Sequence, residues 1–210
     1  MDAPAPSRKF ENRWAAYYHA VSDRPPRPTL LTALEKFDTE LGAHASTPGL
    51  AVDLGCGNGR DTVELLRRNW RVLAIDGEPD AIAALRQRQV INRHHLNLRI
   101  QRFEDLTLPP KVDLINASFC LPFCPPAQFP DLWEAIVDAL RSGGRFCGHL
   151  FGDRDAWSIY NDITFHTLQH VNQLLEPFDL EVFEEEEHPG QTALGEEKHW
   201  HLYNIVACKR

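Results

Sequence analysis

The chain has 210 residues, 43% of them apolar and 25% charged, and its 30 acidic against 22 basic side chains leave a formal net charge of -8. Such a composition suits one globular domain with a sizeable core, and the acidic excess disfavours broad binding to nucleic acid or to an anionic membrane. No apolar run approaches a membrane span and the Pro/Ala-rich start lacks an apolar signal core, so a small molecule or a protein is the expected partner.

In chain order, residues 8–20 read as a helix, broken by Asp23-Arg24-Pro25-Pro26-Arg27-Pro28 before a second helix that Gly42 ends. Residues 1–45 are thus expected to form a helical extension and residues 46–210 the core of the same domain. From Leu50 onward short apolar runs alternate with helical periods: a strand over 50–54, a helix over 58–68, a strand over 71–75 and a helix over 79–90. Strands follow near 96–102 and 112–117, then a helix with Phe129, Leu132, Trp133, Ile136, Val137 and Leu140 on one face. Gly143-Gly144 is expected to stop that helix before a strand over 145–151. A last helix over 163–175 should turn Leu168 and Val171 inward, and strands over 180–184 and 199–208 should pair antiparallel. The expected fold is therefore α/β, a three-layer Rossmann-like sandwich around a seven-stranded, mostly parallel sheet with an antiparallel C-terminal strand. Glu184-Glu185-Glu186-Glu187 reads as a solvated strand end. The five cysteines form an odd number without framework spacing and point to reduced thiols in the cytoplasm.

The sharpest feature is Ala51-Val52-Asp53-Leu54-Gly55-Cys56-Gly57-Asn58-Gly59, an apolar strand running through three glycines into a helix. Without Cβ atoms these residues permit a tight turn, and the N–H groups that open the helix can face a polar or anionic ligand. A dinucleotide fingerprint needs G-x-G-x-x-G, but position 60 is Arg60, and no Gly-Lys-Ser/Thr follows for a phosphate loop. A second strand, Val72-Leu73-Ala74-Ile75-Asp76, ends in a carboxylate. Alone, each glycine reads as a turn and Asp76 as a helix cap; strand, glycines, helix, strand and terminal acid in register are hard to obtain from packing needs alone.

Val52-Asp53-Leu54-Gly55-Cys56-Gly57-Asn58-Gly59 resembles the first motif of class I S-adenosylmethionine-dependent methyltransferases, and residues 50–151 keep that family's order. The resemblance implies S-adenosyl-L-methionine as cofactor, with contacts from Asp53, Gly55, Cys56, Gly57 and Gly59. It also implies ribose contacts from Asp76 and Gly77, and an adenine contact from Glu104, with Asp105 as substitute, in Phe103-Glu104-Asp105. Asn116, Ala117 and Ser118, closing Val112-Asp113-Leu114-Ile115-Asn116-Ala117-Ser118-Phe119, would floor the pocket beside the methionine part. Leu140-Arg141-Ser142-Gly143-Gly144-Arg145-Phe146 resembles the family's Gly-Gly turn into strand five, and Gly148-His149-Leu150-Phe151-Gly152-Asp153 is similar to the small tellurite-resistance and thiopurine methyltransferase group. N-terminal segments of the family fold over the cofactor, a role open to Tyr17, Tyr18, Arg24 and Arg27 as much as plain helix packing is.

Catalytic residues stay unassigned. A general base is optional when the methyl is already activated, and His149, Asp153 and Asp155 are the candidates near the sheet edge. No metal set is expected: Cys120 and Cys124 stand too far from His166 and His170 for finger spacing, and His199-x-His201 is explained by an edge strand. Asn116-Ala117-Ser118-Phe119 lacks the Asn/Asp-Pro-Pro-aromatic motif of enzymes that methylate base nitrogens, and Phe123-Cys124-Pro125 reverses the Pro-Cys dipeptide of cytosine-C5 enzymes. The expected acceptor is a small molecule, with a protein side chain second. The rival readings are a cofactor-binding protein without turnover and a nicotinamide-dependent oxidoreductase, against which the Gly59 spacing argues.

Overall fold

The computed structural model describes residues 13–22, 24–41 and 49–210. The start of the first expected helix, Asp23 and Gly42 lie outside them. The helices are α1 (Trp14–Val21), α2 (Pro28–Leu41), α3 (Arg60–Arg67), α4 (Pro79–Gln87), α5 (Phe129–Ala139) and α6 (Leu168–Leu174). The strands are β1 (Leu50–Leu54), β2 (Arg71–Asp76), β3 (Leu96–Ile100), β4 (Val112–Ala117), β5 (Leu140–Gly152), β6 (Phe165–His166), β7 (Phe178–Gln191) and β8 (Glu197–Lys209).

Seven strands run in the order β3-β2-β1-β4-β5-β8-β7, with the two-residue β6 added beside the end of β5. β1 to β5 pair in parallel, while β8 runs antiparallel to both of its neighbours. Alternation along the strands sorts the core into two faces. Ala51, Val72, Ala74 and Leu114 pack with Leu34 of α2, Leu65 of α3 and Leu85 of α4, whereas Val52, Leu54, Ile75 and Ile115 pack with Leu132 and Ile136 of α5. The order reverses between β1 and β4, so the crevice above their carboxyl ends is where such a sheet receives ligands.

Three local expectations change. Gly143-Gly144 does not cap α5: the chain turns extended at Leu140, which pairs with Val112, and the glycines sit in an irregularity of the β4–β5 ladder, where a Cβ on Gly144 would lie 2.9 Å from the Val112 carbonyl oxygen. Leu168, at the start of α6, is 41% exposed and only Val171 turns inward, because residues 165–166 are taken into the sheet as β6 and shorten the helix. His199 and His201 lie on β8 just past Leu202, where its ladder to β5 ends, so β7 alone pairs them, and His201 is buried there rather than at the surface; the edge strand of the sheet is β7, whose Glu185 and Glu187 both bind Arg154, charges that keep an edge from pairing with another chain. Among the described residues no helix is long and apolar enough to cross a membrane.

Candidate active site

A cavity of about 400 Å³ opens above β1, β2 and β4. β1 delivers Asp53 and Leu54 into the glycine turn, where Gly57 adopts φ +54° and a Cβ would sit 2.9 Å from the Tyr18 ring. Only glycine allows both the left-handed backbone and the close approach. Gly59, at φ +89°, starts α3 and lies against Leu85, outside the cavity lining.

Asp76 closes β2 at the cavity wall. Its Oδ2 accepts from the Gly57 N–H at 2.7 Å and its Oδ1 from the Glu78 N–H at 2.9 Å. The Tyr18 hydroxyl, carried in on α1, spans the two oxygens at 3.3 and 3.4 Å, at the long end of hydrogen-bond range. Burial raises the Asp76 pKa from its ordinary value, opposed by these donors. The backbone bonds thus leave one outward acceptor position on each oxygen, and a single hydroxyl shares both.

Asp53 is held from behind. Thr62 donates to its Oδ2 at 2.5 Å, and Asn116 Nδ2 donates to its Oδ1 at 2.8 Å and to Asp61 Oδ2 at 3.0 Å. Burial first, and the Asp61 carboxylate second, push Asp53 up to about 7. Ser118 in turn donates to Asn116 Oδ1 at 2.9 Å.

The cavity therefore gathers Asp53, Gly55, Cys56, Gly57, Asp76 and Gly77, together with Glu104 and Ser118. Gly59, Asp105, Asn116 and Ala117 do not line it. The three base candidates also lie outside the lining. His149 is buried against Phe119, with ring centroids 4.0 Å apart, and burial holds it down to about 3. Asp153 faces Arg154 and His201, while Asp155 accepts from the Trp157 N–H and pairs with Lys198 at 2.9 Å. All five thiols are free, and among the described residues no three metal-ligating side chains converge.

Sequence reasoning missed Asp61, Arg60 and Asp162, the last with a buried Oδ1 that has no hydrogen-bond partner among the described residues. It also missed a second cavity of about 190 Å³, walled by Phe119, Phe123, Phe151, Trp157 and Trp200 and rimmed by Arg13, Arg24 and Arg27. Trp14, Tyr17, Arg27, Phe119 and Phe123 line both cavities and so form the partition between them. Phe119 holds φ +57°, a strained conformation for a bulky residue and one that clusters at functional sites. The sequence carries one faint signal of this wall, the Phe119 and Phe123 pair just beyond β4.

Residues 51–144 match the family model described as a methyltransferase domain. No curated protein matches the chain. Among solved structures, TehB from Haemophilus influenzae is similar at 15% identity and a TM-score of 0.66, over 83% of this chain and 62% of TehB, so the chain spans less than two thirds of that protein. The Burkholderia thailandensis 1,6-didemethyltoxoflavin-N1-methyltransferase, solved with 1,6-didemethyltoxoflavin and S-adenosylhomocysteine, is similar at 23% identity and a TM-score of 0.62, covering 100% of this chain and 93% of that one. Magnesium protoporphyrin IX methyltransferase from Synechocystis, solved with S-adenosylhomocysteine, gives 13% identity and 0.63 over 97% and 98% of the two chains.

Proposed function

We propose that this chain, a class I S-adenosylmethionine-dependent methyltransferase, binds the methyl donor in the cavity beside Asp76 and passes the methyl group to a small-molecule acceptor. The observation that carries the placement is the Asp76 carboxylate: two backbone N–H groups fix it, and the two outward acceptor positions are bridged by one long hydroxyl contact. Two vicinal hydroxyls of a ribose would satisfy those positions separately and would displace Tyr18.

In this reading Asp76 and Gly77 hold the ribose, Phe103 and Glu104 meet the adenine, and the turn from Asp53 through Gly55, Cys56 and Gly57 receives the methionine part beside Ser118. Gly59 and Asn116 act indirectly, the first by starting α3 and the second by fastening Asp53; Asp105 and Ala117 drop to supporting positions. S-adenosylmethionine supplies a methyl already activated on a sulfonium, so the residues here bind and align rather than generate a nucleophile. The acids along the cavity, Asp53, Asp61, Asp76, Glu78, Glu104 and Asp162, outnumber Arg27, Arg60 and Arg102 and favour a cationic ligand.

The small volume of the second cavity, about 190 Å³, and the acidic surface favour a small acceptor over a polymer, and the Burkholderia relative, with its bound 1,6-didemethyltoxoflavin, is a precedent for that class. The free thiols fit a cytoplasmic enzyme, and we take residues 1–210 as one domain. The test is transfer of labelled methyl from S-adenosylmethionine into a cell extract stripped of macromolecules. Label in the small-molecule fraction is the expected result; label confined to protein or nucleic acid overturns the small-acceptor reading, and binding without any transfer overturns turnover.

A further inference from the structure

We propose that the second cavity is the acceptor site and takes a flat aromatic molecule bound as an anion, its ionised oxygen, nitrogen or sulfur held at the partition by Arg27. This rests on the methyl-transfer reading above. Three features carry it.

The first is shape. Phe119, Phe123, Phe151, Trp157 and Trp200 present rigid planar walls, which suit a planar ligand better than a flexible chain. Three of those walls are fixed from one point: the buried Lys198 ammonium lies 4.3 Å from the Phe151 ring centroid, 3.5 Å from Trp157 and 3.6 Å from Trp200, and its charge is paired with Asp155. The cavity is thus shaped before a ligand enters.

The second is polarity. The carboxylate lining this cavity, Glu196, is already engaged by Arg13 through bonds of 2.6 and 3.0 Å, while Arg24 and Arg27 line it as well. The acid-rich donor cavity lies directly across the partition. Opposite potentials therefore meet where Arg27 lies 4.2 Å over the Phe119 ring.

The third is the chemistry this arrangement suits. With the acceptor proton already released to solvent on binding, an acceptor lone pair forms the new bond to the methyl carbon as the S–C bond breaks and its electron pair stays on sulfur. A cation and an anion become two uncharged groups at those atoms, and no proton acceptor is needed in the step. A cavity rimmed by arginine favours the deprotonated acceptor, which is the nucleophile.

Calorimetric titration of the full chain, first saturated with S-adenosylhomocysteine, tests this with 2-naphthoate, its uncharged isostere 2-naphthamide, and the saturated decahydro-2-naphthoate. Naphthoate should bind about tenfold tighter than the amide, the worth of one charge-assisted contact, and tighter than the saturated acid. Arg27→Gln should abolish the preference for the acid while keeping amide binding, Arg27→Lys should restore part of it, and Trp200→Leu should weaken both aromatic ligands without changing their ratio. Equal binding of acid and amide to the unaltered protein, or a preference that survives Arg27→Gln in a variant shown folded by its thermal unfolding, overturns the proposal. Failure of S-adenosylhomocysteine to bind would instead overturn the donor reading, since that titration precedes the others.

Discussion

The two cavities share a partition but are assembled by different rules. The donor side is built from chain-local pieces, a strand running into a glycine turn and a second strand ending in an acid, and it fixes Asp76 through backbone N–H donors and Asp53 through Thr62 and Asn116. The acceptor side is built from rings brought together from α1, the exits of β4 and β5, and β8, with charge supplied by arginine side chains on long stems. The difference teaches that recognition of a constant ligand can be written into backbone geometry, whereas recognition of a variable one is assembled from side chains on the periphery.

The hardest blow to this division is Asp76→Ala. S-adenosylhomocysteine affinity should fall by about tenfold or far more, because charge-assisted bonds are worth roughly 1.5–3 kcal/mol each, while naphthoate binding to the ligand-free protein stays near its original value. The Gly57 and Glu78 N–H groups also lose their acceptor, so thermal unfolding should register a loss of about 1–3 kcal/mol. Asp76→Asn should lie between the two. Unchanged affinity in Asp76→Ala would remove the donor from this cavity altogether.

A smaller effect separates the cavities by pH. Asp53, pushed up to about 7 by burial and then by Asp61, holds a proton in the folded chain between about pH 4 and 7 that the unfolded chain has lost. Its contribution to stability is therefore present below pH 4 and disappears as the pH rises through 7. A cationic donor favours the ionised acid, so S-adenosylmethionine should bind roughly threefold tighter at pH 8 than at pH 6, with proton release seen as a buffer-dependent heat of binding. Asp53→Asn should remove both the release and the slope, and naphthoate affinity should not follow this profile.

The smallest effect concerns the acceptor side alone. Arg13 on the N-terminal side of α1 binds Glu196 at the hairpin tip, and both side chains are partly exposed. Such a pair contributes roughly 0.2–1 kcal/mol, so Arg13→Ala should weaken naphthoate binding by less than about fivefold and leave S-adenosylhomocysteine binding intact. An equal loss for both ligands would mean that the partition moves as one body.

The same division governs what the sequence reveals. Strand alternation, the glycine run and Asp76 are local signals, so the mostly parallel sheet and most of the expected residues that line the first cavity can be read along the chain. Trp157 and Trp200 carry no signal of a site in the sequence, since nothing local shows that positions so far apart meet with Phe119 around an opening. Gly143-Gly144 was misleading because a bulge and a helix cap ask for the same residue type, and the β4 register that decides between them is non-local. Tyr18 was visible as a covering aromatic, but its bond to Asp76 depends on where α1 docks.

The β7–β8 hairpin is paired from Phe178 opposite Lys209 out to Gln191 opposite Glu197, and its tip is closed by the Thr192 N–H to Glu196 carbonyl bond at 2.8 Å. Residues 191–194 at that tip line the acceptor cavity, while the base of the hairpin belongs to the sheet. Selectivity is in this sense modular: the tip can be exchanged, lengthened or recoded as a cassette, with the long ladder below it acting as a fixed mount. Lengthening a surface loop costs little chain entropy, so a library confined to these few positions explores new acceptors without spending the stability or the donor affinity of the rest of the chain.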